Sequence, residues 1–145
     1  MINAKVTRLA LAALLFLLNV HPVFAQKYEA DPAKNGANEI MKKVLAALPE
    51  NERKRVAFAF ISPNSQADQV SRQIAGALNS GKPTGILAIG GPDAALNKTI
   101  VLSALGRVSS RVSDLKLVYV GAPKDRAEVE KEARRISAAF LFVPL

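Results

Sequence analysis

GILAIGGPDAALNKT, residues Gly85–Thr99, passes from an almost unbroken apolar run through Gly-Gly-Pro-Asp into a segment of helical character. The same order of events occurs twice more, as AFAFISPNSQADQ at Ala57–Gln69 and as LVYVGAPKDRAEV at Leu117–Val129. Each is an apolar run, then one or two small residues, a proline, and polar residues that open a helix. The prolines Pro63, Pro92 and Pro123 stand 29 and 31 residues apart, the length of one strand plus its crossover helix. Proline suits the first turn of a helix, where its missing N–H would have had no intrahelical partner. Gly81 and Gly106 stand where the first two crossover helices should close. The third helix, about Asp125 to Ser137, is charged outside and carries Val129, Ala133 and Ile136 on an inner stripe. AFLFVPL, at the end of the chain, supplies a fourth apolar run.

Upstream of the repeats, Ile40, Met41, Val44, Leu45 and Leu48 fall on one helical stripe. Asn38 is placed to cap that helix and Pro49 to end it. ENERKR then links to a first strand read over Val56–Ser62. The order is therefore helix, three strand–helix units, and a last strand, which implies a parallel sheet with right-handed crossovers. The strands are apolar at successive positions, so both faces should be covered. Strand order 1-2-3-4 would place all three crossover helices on one face. Order 2-1-3-4 divides the four helices equally, and it is the expected order. The expectation is an α/β fold: a small three-layer α/β/α sandwich of four parallel strands with an extra N-terminal helix. Its layout resembles the flavodoxin-like architecture, as a plan of layers and not as a sequence family.

The N-terminus, MINAKVTRLALAALLFLLNVHPVFAQ, reads as a secretory signal peptide. Lys5 and Arg8 form the basic region, Leu9–Leu18 the apolar core, and Val23-Phe24-Ala25 the cleavage site. The apolar run is about half of the roughly 20 residues that a spanning helix needs. The expected division is 1–25 signal, 26–37 flexible leader, and 38–145 a single α/β domain, located in the periplasm or secreted. Tyr28, in that leader, should be exposed or rest on the first helix. The 145 residues carry no Cys and one His, His21, inside the signal. Packing alone must hold the fold. The net charge of +8 comes from scattered Lys and Arg, without the basic runs of nucleic-acid-binding tails.

In a doubly wound sheet, ligands bind beyond the carboxyl ends of the strands where the strand order reverses. Under order 2-1-3-4 the candidate rim is Ser62, Asn64 and Ser65 from the first loop with Gly121, Lys124 and Asp125 from the third. Gly90, Gly91 and Asp93 lie alongside. Gly-Gly-Pro-Asp does not meet the requirements of a phosphate cradle. The dinucleotide spacing is absent, and Pro92 and Asn97 occupy the glycine positions of the NTPase loop. Proline also removes an N–H from an anion nest, and Asp93 places negative charge where the phosphate would sit. The turn is better read as a joint, with two glycines permitting it and Asp93 complementing the helix dipole.

Without His or Cys in the exported part, the common nucleophile–base pairs and most zinc sites are absent. Ser62 or Ser65 with Lys124 could serve as a Ser–Lys pair, and Asp93 with Asp125 could hold a hard cation. Nothing places Lys124 in an apolar pocket, however. Ser65 is more simply an N-cap, with Asp68 completing a capping box. No cofactor, metal or catalytic set is assigned. The second crossover helix, DAALNKTIVLSALG, is apolar nearly all the way round, and such a helix is normally buried on every side. Leu96, Ile100 and Ala104 on its outer stripe are therefore the expected interface, with a second copy or another cell-envelope protein. The leading functional reading is an exported, non-enzymatic module that binds a protein. A small-ligand site at the carboxyl-end rim is the alternative, and a hydrolase the third reading.

Overall fold

β-branched and aromatic residues gather where strands form: β1 Val56–Phe60, β2 Gly85–Gly90, β3 Leu115–Gly121 and β4 Ala139–Pro144. The computed structural model describes residues 32–80 and 84–145. The signal segment, its cleavage site, Tyr28 and Gly81 lie outside the described residues. The helices are α1 Pro32–Ala47, the single turn α2 Glu50–Arg53, α3 Ala67–Asn79, α4 Ala94–Gly106 and α5 Arg126–Arg135, the last entered through a 3₁₀ turn at Pro123–Asp125. None of the described helices is long and apolar enough to cross a membrane. α1 begins at Pro32 rather than after Asn38. A proline at the first helical position forfeits no hydrogen bond, so the helix extends into the segment expected to be a flexible leader.

The sheet is all-parallel, as expected, but its order is β1-β2-β3-β4 and not 2-1-3-4. The register aligns Ala57, Leu87, Leu117 and Phe140 across one face, and Phe58, Ala88, Val118 and Leu141 across the other. The first face packs with α3, α4 and α5, through Ile74, Leu78, Ile100, Val101, Leu105, Val129 and Ile136. The second face packs with α1, through Ile40, Met41, Val44 and Leu48. The three layers stand, with helices divided three to one rather than two to two.

The chemistry of the two faces explains that division. The α1 face is partly filled without a second long helix. Lys116 lies on it and is tied to Glu52 of α2 by two contacts of 2.6 and 2.9 Å. Ala88 and Gly90 contribute little apolar area there. The other face carries a middle helix, α4, whose two flanks are taken by α3 and α5. Ser103 of α4 donates to Ser71 of α3 at 3.2 Å, and Arg135 of α5 donates to the Leu105 carbonyl at 2.6 Å. A helix apolar nearly all the way round fits the middle of a helix layer, a place that the simple strand order provides and order 2-1-3-4 does not.

Helix ends also depart from the expected pattern. Pro92 precedes the N-cap, Pro63 lies in a turn ahead of α3, and only Pro123 takes a first-turn position, in the 3₁₀ turn. The N-cap of α3 is Gln66, with no side-chain cap. Ser65 hydrogen-bonds Ser62 instead, and Asp68 pairs with Arg72 and Arg107 at 2.6 and 2.7 Å. The capping box therefore does not form. Gly106 is the last residue of α4, which closes on Arg107 in right-handed geometry.

Candidate functional site

At the carboxyl ends of the strands, each loop is shaped by close backbone approach. The Ile61 N–H donates to the Gly90 carbonyl at 2.8 Å, which presses the exit of β1 onto the exit of β2. A Cβ on Gly91 would fall on the Ile61 carbonyl oxygen, and one on Gly90 would overlap the Val120 side chain. Neither glycine adopts positive φ, a conformation that only Gly85 takes among the described glycines. Lack of a side chain, rather than backbone freedom, is what these two positions require. Asp93 then caps α4 by accepting from the Leu96 N–H at 3.0 Å. The Gly-Gly-Pro-Asp stretch is thus a steric joint with a capped helix behind it.

The first loop closes on itself. The Ser65 N–H donates to the Ser62 carbonyl at 3.0 Å, and the Ser65 hydroxyl donates to the Ser62 hydroxyl at 3.3 Å. Asn64 is exposed, as is Lys124 in the third loop. A Cβ on Gly121 would meet the tip of the Tyr119 ring. Asp125 is 5% exposed, and its carboxylate faces Lys98 at 3.3 Å. The structure therefore joins Ser62 to Ser65, Gly91 to the residue before Ser62, and Asp125 to Lys98. It does not join the first loop to the third. β2 lies between β1 and β3, so the strand reversal that would have opened a crevice there is absent.

Behind the rim lies a polar cluster that sequence reasoning missed. Asn97, 0% exposed, donates from Nδ2 to the Gly91 carbonyl at 2.8 Å and to the Val120 carbonyl at 3.1 Å. One side chain from the first turns of α4 thereby ties together the ends of β2 and β3. Its Oδ1 and the Tyr119 hydroxyl are buried with no hydrogen-bond partner among the described residues. Lys98 reaches Glu128 at 2.7 Å as well as Asp125. These two hydrogen-bonded carboxylates, Glu128 first, hold the Lys98 ammonium above its usual pKa. Burial, and then the Asp125 charge, push the Tyr119 phenol up to about 12. The sequence signal for this cluster is the polar triplet Asn97-Lys98-Thr99 inside a helix that is otherwise mostly apolar.

Both surroundings hold the proton in place, so Lys98 stays charged and the Tyr119 phenol neutral. No group of three or more His, Cys, Asp or Glu that could hold a metal ion occurs among the described residues. Asp93 is engaged as a cap and Asp125 as an ion-pair partner, on separate loops. The proposed interface residues are placed as unevenly. Ile100 and Ala104 are both 0% exposed, enclosed by the chain's own core, and Leu96 alone of the three is half-buried. Intramolecular packing supplies the cover that the all-apolar helix called for. No known family, curated protein or solved structure matches the chain.

Proposed function

We propose that this chain is an exported, non-enzymatic α/β module that acts by binding another protein of the cell envelope. The observation that carries this reading is the commitment of the carboxyl-end side chains to intramolecular partners. Asp93 caps a helix, Ser62 and Ser65 bond each other, Asn97 holds two strand ends, and Asp125 pairs with Lys98. In a parallel α/β sheet this end is where ligand chemistry usually resides. With these four groups engaged within the chain, recognition falls to the outer surface. The signal-like N-terminus supports export, with cleavage after Ala25 and release to the periplasm or the exterior.

Two measurements test the reading. Intact mass of protein from the periplasmic fraction should correspond to a chain starting at Gln26. A species retaining Met1–Ala25 in the membrane pellet would sink the localisation. Photo-crosslinking groups placed singly at Asn64, Ala95 and Lys124, all exposed positions, should give a discrete protein adduct in intact cells from at least one site. Absence of any adduct, together with a melting shift produced by a small metabolite, would move the assignment to a ligand-binding domain.

A further inference from the structure

The parallel order gives the molecule two chemically different ends. Acidic residues stand where helices begin, at the carboxyl ends of the strands: Asp93, Asp125 and Glu128, while Asp68 of α3 pairs with Arg107 at 2.7 Å. Basic residues stand at the opposite end. Lys54 and Arg55 lead into β1, Arg107 and Arg111 lie between α4 and β3, and Arg134 and Arg135 close α5. Complementing helix dipoles accounts for acids at helix starts and bases at helix ends. Lys54 is the C-cap of the single turn α2, but Arg55 and Arg111 lie beyond the helix ends, in the segments leading into strands. All three are exposed, and no carboxylate pairs with them among the described residues.

These segments form one surface. The Arg55 carbonyl lies 3.5 Å from where a Cβ on Gly85 would sit, and the Gly85 N–H donates to the Asp114 carbonyl at 3.2 Å. The 107–114 loop is held at one side by Asn79, whose Nδ2 donates to the Arg107 carbonyl at 3.0 Å. At the other it is held by Val112, whose N–H donates to the Ile136 carbonyl at 2.8 Å. Of the acids nearby, Glu52 and Glu132 pair with Lys116 and Arg135 at 2.6 and 2.8 Å, whereas Glu50 and Asp114 are exposed without an ion-pair partner among the described residues. Segments Glu50–Arg55, Arg107–Asp114 and Arg134–Ala138 still carry seven Lys and Arg against three acids. The cations are thus fixed on the strand-start end by backbone contacts.

We propose that this amino-end surface docks on an anionic phospholipid membrane. Segments Glu50–Arg55, Arg107–Asp114 and Arg134–Ala138 contain no aromatic residue, so they offer no stacking platform for single-stranded nucleic acid. The unpaired cations come from separate strand-leading segments, without a convergent set of buried donors that would select one small anion. Distributed, exposed, unpaired cations suit a continuous sheet of negative charge, which needs proximity and no shaped pocket. This inference does not depend on the binding of an envelope protein, and either could fail alone.

The test is co-sedimentation of the protein, as isolated from the producing cell, with phosphatidylcholine vesicles that contain or lack phosphatidylglycerol. An apolar N-terminal segment would partition into both, so the difference isolates the charge contribution. Binding should require phosphatidylglycerol and weaken as salt screens the surface. Each cation near such a surface contributes roughly fivefold in partitioning, so Arg55→Gln/Arg111→Gln should lose about 25-fold by the same rule. Arg55→Lys/Arg111→Lys should retain binding. Lys43→Gln/Lys124→Gln removes the same charge elsewhere and should lose far less. Equal losses in the two neutralised pairs would overturn the proposal, because net charge alone would then suffice. Wild type indifferent to phosphatidylglycerol, or tighter on an oligonucleotide at equal salt, would overturn it too.

Discussion

Ser137 sits at φ 65, the single described non-glycine residue at positive φ. It is held there by the end of α5, where the Ser137 N–H donates to the Arg134 carbonyl at 2.9 Å and the Ala138 N–H to the Ala133 carbonyl at 3.0 Å. This paired closure normally uses glycine. A left-handed conformation costs a residue bearing a Cβ roughly 1–2 kcal/mol. After the added chain entropy of the unfolded state, Ser137→Gly should stabilise by about 0.5–1 kcal/mol in urea unfolding. A lower midpoint would show that the serine side chain offsets its own strain. Tyr119 supplies a second residue-level prediction. Its folded pKa of about 12 lies above the ordinary value of 10.0, so the folded state prefers the neutral phenol. That contribution is complete below pH ~10 and is lost as pH rises through ~12, by on the order of 2–3 kcal/mol. Tyr119→Phe should hold its stability at neutral pH and lack that alkaline loss. Superimposable alkaline profiles for the two proteins would mean that the phenol ionises as it does in water.

At the scale of elements, the same substitution should act in opposite directions at two glycines. Gly76 lies within α3, exposed, with nothing near the position of an added Cβ. Gly76→Ala should therefore stabilise by about 0.5–1 kcal/mol through helix propensity. Gly91→Ala would drive a methyl onto the Ile61 carbonyl where the exits of β1 and β2 touch. It should destabilise by roughly 2–4 kcal/mol, in the range of severe overpacking and backbone strain. Urea midpoints moving the same way in both variants would refute the steric account of that joint. The joint also depends on Asn97, which ties Gly91 to Val120 and so holds the third loop to the second. α4 thus positions the strand exits as well as filling the layer.

For the whole molecule, the two apolar cores share one sheet. A residue such as Val118 belongs to the α1 side while its neighbours Leu117 and Tyr119 belong to the α4 side. Loss of one core should therefore weaken the other layer through the strands they have in common. Leu48 of the α1 core is 2% exposed. Leu48→Ala should cost about 2–4 kcal/mol, with far-ultraviolet dichroism and tyrosine fluorescence still reporting one coincident transition. A separate early transition would show that α1 is an independent unit. Parallel strands with crossover helices also gather three helix C-termini at one end, and basic residues collect there.

The local periodicity of the chain determined which segments became strands and helices. Apolar runs before Pro63, Pro92 and Pro123 became β1, β2 and β3, and Val129, Ala133 and Ile136 became the buried stripe leading out of α5. Parallel pairing followed from alternation, because a crossover helix between consecutive strands leaves little other choice. The joint character of Gly-Gly-Pro-Asp was legible as well, through Asp93. Strand order was not, although a pointer to it lay in the all-apolar α4, whose flanks are met by α3 and α5. Sequence periodicity states that a face is buried and not what buries it. For the same reason the pairings Lys98–Asp125, Lys116–Glu52 and Asn97–Val120 were out of reach: each joins distant segments, and only the tertiary structure brings such partners within hydrogen-bond distance.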